Sequence, residues 1–525
     1  LDRSLQAPDG TAGSADDPAD GTRASASAVL IVKLEGVSPT HAPSSQAQEL
    51  SRSRRRLVLA ICCMSLLIVG LDNTIVNVAL PSIGRELHAS VSELQWTVDA
   101  YTLVLASLLM LSGSMGDRLG RRRVFQTGLA LFTLGSLLCS AAPSLGWLIV
   151  FRMLQAVGGS MLNPVAMSII RNVFTDARER AQAIGMWGAT IGISLALGPV
   201  LGGALVDGVD WRAIFWINIP VGLLALGLTM RFVPESRAPK PRRLDPVGQL
   251  LVIVLLASLT YGIIEAPSAG WLSGQTVGLF VLATAALAAL VPYEARRTEP
   301  LIDPRFFRSL PFSGASAIAV LAFSALGAFL FINTLYLQEV RVPHLSAFAA
   351  GLCTLPIAAM TLFFAPLSGR IVGRRGPRLA LLVGGLGIGL GGLLLVDITS
   401  TTQIAALLPA YFLFGIGFGM VNPPITNTAV LGMPEAQAGV AAAVASTSRQ
   451  VGQTLGVAVA GAIAAAGAAS VGPDFVTASH TVWWVVVGCG AAIMVLGLFS
   501  TTSRANASAR RALASPLPAE VGAGS

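Results

Sequence analysis

Charge is what this sequence has least of. Of its 525 residues only 12% are Asp, Glu, Lys or Arg, while 54% are hydrophobic. A soluble domain carries about a quarter charged residues. A soluble globular protein of this length is therefore excluded, and most of the chain must contact lipid or other buried helices. Histidine and cysteine are equally scarce. His41, His88, His344 and His480 are scattered through the tail and the loops, and Cys62, Cys63, Cys139, Cys353 and Cys489 all sit inside apolar stretches. No cysteine has zinc-ligand spacing to a histidine, so no metal site and no disulfide are expected. A membrane-embedded enzyme needs a nucleophile, base or metal cluster at a membrane face. The chain offers no such cluster, and no enzymatic activity is expected. A membrane sensor would carry a cytoplasmic output domain. The substantial extra segment is residues 1–50, rich in Ser, Ala, Asp and Pro, which reads as a disordered tail. Its apolar run Ala28–Val32 is too short to span a bilayer, and no cleavable signal peptide is expected.

What is present is a series of apolar runs, with a mean hydropathy of +0.71. A spanning helix needs about 20 mostly apolar residues. Fourteen runs qualify, with cores near 57–81, 94–115, 124–143, 146–168, 180–205, 213–232, 246–264, 274–293, 313–338, 347–368, 379–397, 404–428, 437–467 and 481–501. The expectation is an all-α membrane protein with fourteen transmembrane helices. The net charge of +8 is not a nucleic-acid signal, because the basic residues are spread over short loops rather than gathered in one patch. With a cytoplasmic N-terminus, 27 of the 35 Lys and Arg residues fall on the inner side, in clusters such as Arg54–Arg56, Arg121–Arg123 and Arg374–Arg375. Arg85, Arg212 and Arg341 alone fall in outer loops. This bias predicts both termini inside. The inner loop 429–436 breaks the pattern, having no basic residue.

The chain also repeats itself. Gly113-Ser-Met-Gly-Asp117-Arg118-Leu-Gly120-Arg121-Arg122 after the second run is echoed by Gly369-Arg-Ile-Val-Gly373-Arg374-Arg-Gly376-Pro-Arg378 after the tenth. Gly158, Asn163 and Pro164 are echoed by Gly417, Asn422 and Pro423. Two six-helix halves joined by two extra helices fit this spacing, an arrangement found in transporters. The domains expected are a disordered cytoplasmic tail at 1–50, a six-helix bundle at 51–232, a linker with two extra transmembrane helices at 233–312, a second six-helix bundle at 313–501 and a disordered cytoplasmic tail at 502–525. In the first loop, glycines permit a tight turn and close helix approach. Asp117 can pair with a basic residue or cap a neighbouring helix, and loss of that contact would loosen an inner gate. The plainer reading of Arg121–Arg123 is that they set topology, which does not by itself call for Asp117 and the glycines.

On Gly113–Arg123 the chain resembles the major facilitator superfamily, over nearly its whole length. Arg152-Met-Leu-Gln155-Ala-Val-Gly158-Gly159 looks like the family's Arg-x-x-Gln-Gly-x-Gly motif, with Ala156 where the family often has Gly. Gly188-x3-Gly192-x5-Gly198-Pro199-x2-Gly202-Gly203 resembles the motif of its antiporter branches. Small residues four apart let helices touch and Pro199 bends the helix; simple packing is the bland alternative. Leu71-Asp72-Asn-Thr74-Ile-Val-Asn77-Val-Ala-Leu-Pro81, Gln95-Trp96-Thr-Val-Asp99-Ala-Tyr101 and Trp211-Arg212-x2-Phe215-x-Ile217-Asn218-x-Pro220 look like the fourteen-helix drug:proton antiporters. The resemblance implies a multi-pass protein of the bacterial inner membrane. It would export small lipophilic drugs or antibiotics by alternating access, as a monomer without nucleic-acid partners. No cofactor is implied, the proton gradient supplying the energy. A dedicated carrier of one metabolite on the same scaffold is the alternative, since fold does not set substrate.

Ionisable residues inside a bilayer are costly and point to function. Asp72 lies roughly 22 Å from the inner face and Arg152 roughly 9 Å below the outer one, by the helical rise. In a core about 30 Å thick these depths match. Depth alone does not make them neighbours; the resemblance implies it, since in that family helices one and four line the central cavity, and the two then form either a coupling pair with a shared cavity or a static ion pair. Asp99 is either a cavity carboxylate or an interfacial residue beside Trp96 in the aromatic belt. Arg449, near the midplane, positions an anionic partner, stabilises a closed state, or is a hydrogen-bonded strut. Glu265 is expected in an outer loop. The expected coupling and cavity set is Asp72, Asn77, Asp99, Tyr101, Arg152, Gln155 and Arg449. The expected gating set is Gly113, Asp117, Arg118, Gly120, Arg121, Gly198, Pro199, Gly202 and Gly203. The mechanism expected is exchange, in which an outside proton neutralises Asp72 or Asp99 and loosens a bound substrate. Tyr101 and Trp187 are candidates for cation–π contact in the cavity.

Overall fold

The computed structural model of this chain describes residues 51–238, 244–297, 299–430, 435–467 and 473–514. The tail 1–50, the linker residues Lys240, Arg242 and Arg243, the centre of loop 429–436 and residues 515–525 lie outside the described residues. Every described element is helical: α1 (Arg52–Leu87), α2 (Val91–Leu119), α3 (Arg121–Ser140), α4 (Leu145–Val173), α5 (Ala177–Gly208), α6 (Ala213–Trp216), α7 (Asn218–Phe232), α8 (Pro246–Ala269), α9 (Gly274–Arg296), α10 (Leu310–Leu335), α11 (Ala347–Cys353), α12 (Leu355–Arg375), α13 (Arg378–Leu393), α14 (Ile404–Val430), α15 (Glu435–Gly467), α16 (Pro473–Ser500) and α17 (Ser503–Ala514). A 3₁₀ turn, Pro304–Arg308, precedes α10, and a π turn, Tyr336–Val340, extends it. A backbone in hydrocarbon must satisfy its polar groups internally, and helices do so residue by residue.

Twelve helices among the described residues are long and apolar enough to cross a membrane. The runs expected at 124–143 and 379–397 are helical over Arg121–Ser140 and Arg378–Leu393 but are not among the twelve. Arg378–Leu393 is the shorter because the chain leaves the helix in turns after Leu393. Two spans are interrupted, at Ile217 between α6 and α7 and at Thr354 between α11 and α12. Helix starts follow side-chain chemistry. Ser90 and Glu93 form a reciprocal capping box on α2, Asp176 accepts from Arg178 and Glu179 N–H groups on α5, and Asp245 caps α8 ahead of Pro246. Glu265, expected in a loop, lies within α8, which runs on to Ala269. Beyond residue 502, where no structure is expected, the chain forms α17, with Ala505 and Ala509 buried.

The packing pairs recur along the chain. Contacts α1–α5, α2–α4, α3–α4 and α3–α7 have counterparts in α10–α15, α12–α14, α13–α14 and α13–α16. The helices α1–α7 are called here the first set and α10–α16 the second. The sets meet along a seam where α2 lies on α15, α5 on α11 and α12, and α1 on α10. α8 packs on α9 and also on α2 and α15, against the seam itself. Large apolar side chains left exposed, such as Leu223, Leu224, Phe363 and Phe499, lie on these spanning helices and suit a lipid-facing surface.

Candidate functional site

Asp72, on α1, is completely buried, and so are the groups around it. Its Oδ1 accepts from Gln155 Nε2 at 2.8 Å and from Asn218 Nδ2 at 3.2 Å, and its Oδ2 from Arg152 Nη1. Arg152 Nη1 also donates to Gln155 Oε1 at 2.8 Å, and its Nε to the Thr97 carbonyl at 3.3 Å. Gln155 Nε2 reaches Ser136 Oγ at 2.7 Å. The guanidinium lies 4.2 Å from the centre of the Tyr101 ring. Arg152 and Gln155 are three apart on α4 and therefore share one helix face. The network ties α1, α2, α3, α4 and α7 together, with the positive charge matched and the carboxylate saturated. A buried ion pair of this completeness holds helices in register, and losing one partner strands the other charge.

Asp99, on α2, is as deeply buried as Asp72, yet neither carboxyl oxygen has a hydrogen-bond partner. Its polar neighbour is Thr102 on the next turn. Thr454 of α15 donates to Thr102 Oγ1 at 2.8 Å across the seam. Four residues before Asp99, Gln95 Nε2 donates to the Val457 and Ala458 carbonyls of α15 at 3.2 and 2.9 Å. Below these contacts a narrow apolar cleft opens between α2, α8 and α15, lined by Leu103, Ala106, Leu256, Thr260, Val451 and Thr454. Glu265 of α8 accepts from Trp96 Nε1 at 3.0 Å, and Gln249 Nε2 donates to the Ser107 carbonyl at 2.6 Å. Asp99 therefore lies on a helix clasped by a second-set helix and by α8.

The remaining cavity candidates are dispersed. Asn77 donates to the Asn73 carbonyl at 3.1 Å, leaving its own Oδ1 without a partner. The Tyr101 hydroxyl is buried and unpartnered while its ring underlies Arg152. Trp187 is half-buried among first-set residues rather than beside Asp99. Arg449, on α15, donates to Thr426 Oγ1 of α14 and lies 5.9 Å from the Phe323 ring of α10. It belongs to neither acid's surroundings.

The expected gating residues divide between two ends of the molecule. At the arginine-rich end, Asp117 Oδ1 accepts from Arg121 Nη2 at 2.9 Å and Nε at 3.2 Å, one helical turn on. Arg118 is exposed. Gly120 has φ +113, and a side chain there would also strike Glu235. The loop is stitched to the segment after α7. Arg121 N donates to the Ser236 carbonyl at 2.9 Å, and Arg122 N to Glu235 Oε1 at 3.2 Å. Gly113 and Gly116 pack on Pro164 and Val165 of α4.

At the opposite end, Gly198 fits against Thr74 and Gly202 against Ile75 of α1. Gly203 abuts the backbone of Ala347 and Phe348, and the Pro199 carbonyl abuts Gly351, so α5 and α11 meet backbone to backbone. Asp207 then accepts from the Ala347 and Phe348 N–H groups at 3.1 and 2.8 Å, capping α11 from the other set. Arg85 pairs with Glu339, and Gln338 Nε2 donates to the Val78 carbonyl at 3.0 Å. The start of α5 is different, since added side chains at Gly185 and Gly188 would meet nothing within 4 Å.

Several participants escape a reading of the sequence. Asn218 and Gln95 stand inside the segments that carry the family resemblance, and that is their only signal. Ser136, Asp207, Glu235 and Thr454 have none, because a lone polar residue in a spanning run does not say which helix it will face.

Residues 62–457 match the family profile described as Major Facilitator Superfamily. The chain is 38% identical over 410 residues to the multidrug resistance protein Stp of Mycobacterium tuberculosis, covering 78% of this chain and 76% of that one. It is 36% identical over 438 residues to the tetracenomycin C resistance and export protein of Streptomyces glaucescens, covering 83% and 80%. To the multidrug efflux pump LfrA of Mycolicibacterium smegmatis it is 34% identical over 411 residues, covering 78% and 81%. In fold it is similar to a peptide transporter POT solved with sulfate, at TM-score 0.63 and 16% identity, over 87% of this chain and 95% of that one. A bacterial homologue of the lysosomal transporter Spinster gives TM-score 0.59 at 17% identity, over 89% and 100%. With its spanning helices and its matched motifs, the chain belongs to the Major Facilitator Superfamily and is a multi-pass membrane transporter whose relatives are drug and antibiotic efflux pumps.

Proposed function

We propose that this chain exports small lipophilic drugs or antibiotics, cations among them, across the bacterial inner membrane in exchange for protons. The reading rests chiefly on Asp99, a fully buried acid with neither oxygen partnered, on a helix lying across the seam. A carboxylate held out of water without partners is costly. Asp99 therefore carries its charge when a cationic substrate compensates it and takes up a proton otherwise. A proton arriving from outside displaces the substrate, the helix sets rock, and the proton leaves on the arginine-rich side. Asp72 is assigned the structural part, since Arg152, Gln155 and Asn218 already occupy its oxygens.

The architecture in this reading is fourteen transmembrane helices, counting α3 and α13. Two six-helix halves take up the recurring pair contacts, α8 and α9 are the extra pair, and both termini are cytoplasmic by the arginine bias. The contacts at Gly203, Gly351 and Asp207 act as the outer gate, while the open space around Gly185 and Gly188 suits a cavity facing the cytoplasm. The protein works as a monomer, with the proton gradient as its energy source.

Everted membrane vesicles carrying the chain, given a panel of lipophilic cations, dyes and antibiotics, test the reading. Substrate addition should release protons in the wild type and in no case with Asp99→Asn. Export that ignores the pH gradient ends the antiport mechanism, and unchanged coupling in Asp99→Asn ends the assignment of the acid.

A further inference from the structure

Arg152 and Arg449 both lie in the body of a spanning helix, and their surroundings differ in kind. Arg152 has a carboxylate, an amide oxygen, a backbone carbonyl and an aromatic face. Arg449 has one hydroxyl, Thr426 Oγ1, and an aromatic ring beside it. Its Nε is buried without a partner. Among the described residues no carboxylate reaches its guanidinium. A strut made of arginine looks like Arg152. An intramembrane cation with spare donors and no counter-ion is costly unless something outside the chain completes it.

The geometry also says what would complete it. The residue is half-buried, and its partner Thr426 is exposed, so the site can be reached. Phe323, half-buried, lies at the guanidinium and is backed edge-on by the buried Phe418 at 5.1 Å, which gives a firm apolar wall. Free guanidinium N–H groups beside aromatic faces suit a planar anionic oxygen on an aromatic body. We propose that Arg449 is a recognition point for lipophilic aromatic anions, a carboxylate or phenolate binding the guanidinium while its ring lies against Phe323. The proposal rests on the reading of a substrate cavity between the helix sets. It adds a second substrate class, with Asp99 serving cations and Arg449 serving anions at a separate point on α15.

Binding without any gradient keeps this test apart from the transport assay. The purified full chain in nanodiscs of phosphatidylcholine is titrated with 2-naphthoate and with its methyl ester, which differ by the charge. The wild type should bind the acid about tenfold or more tightly than the ester, the size of one charge-assisted contact. Arg449→Gln should bring the acid down to the ester while leaving the ester unchanged, and Arg449→Lys should keep part of the preference. Thermal melting in the same nanodiscs identifies a variant that has failed to fold, in which case Arg449→Lys and Thr426→Val carry the comparison. An acid-to-ester ratio equal in wild type and variants overturns the proposal. So does loss of the preference when phosphatidylglycerol is added and binding is corrected for naphthoate uptake by protein-free nanodiscs of the same lipid, because the anionic headgroup is then the occupant.

Discussion

Asp72 and Asp99 are equally buried on neighbouring helices, yet one is saturated and the other bare. The Asp72 network lies wholly within the first set, joining helices that keep their mutual positions if the sets move as bodies. Asp99 lies where α2 faces α15, beside the Thr102–Thr454 hydroxyl contact. Interactions that persist through a rocking cycle can be saturated without cost to function. In the proposed cycle those at the seam must part, and its buried contacts are hydroxyls, the amides of Gln95 and Gln338 and backbone contact, with the Arg85–Glu339 ion pair at its more exposed end. The difference teaches where to look for mobile charge in this molecule, which is along the seam and not at its most heavily bonded acid.

The sharpest way to break this comparison is through stability. Asp72→Asn strands Arg152, and a melt should show a loss of about 3–5 kcal/mol. Replacing both partners, Asp72→Leu with Arg152→Leu, should recover much of it. Asp99→Asn should leave the melt within about 1 kcal/mol of the wild type. Equal losses at the two acids would remove the distinction between a fixed network and a poised group.

A smaller effect is expected at the seam itself. Gly203→Val places a side chain into the backbone of Ala347 and Phe348, where no rotamer can give way. Overpacking of this kind costs about 1–3 kcal/mol. Here it falls on the closed contact, so spin labels at the ends of α5 and α11 should move apart while the melt changes little. An unchanged separation would mean that α5 and α11 do not form the gate. The smallest effect is expected from Asp207→Ala, which removes the cap that one set supplies to α11, worth about 1 kcal/mol. Amide exchange at Ala347 and Phe348 should rise without a rise at Arg152 or Gln155. A rise at both places would merge the two regions into one.

Much of this was readable in advance, for reasons that differ by residue. The Asp72–Arg152 pair could be anticipated because helical rise converts sequence position into depth, and the family resemblance supplies the lateral proximity that depth cannot. Gln155 follows from Arg152 by sharing its helix face. Asn218 and Gln95 were visible only as letters in segments resembling the antiporters, with nothing to say that one would reach Asp72 and the other the carbonyls of α15. Glu265 was misplaced because a polar residue near the end of an apolar run looks like a loop. Its bond to Trp96 lets α8 continue to Ala269. The helix α17 was missed because its polar sequence gains support only from burying Ala505 and Ala509.

Membership of the membrane class and the succession of helices follow from local composition, since lipid admits only long apolar segments whose backbone satisfies itself. Lateral neighbours do not, because each of the described spanning helices is apolar enough to pack against any other. Their choice is made where backbones come close enough for Gly203 to meet Ala347, for Asp207 to cap α11, and for the Asp99 carboxylate and the Arg449 Nε to be left without partners while Asp72 and Arg152 find each other.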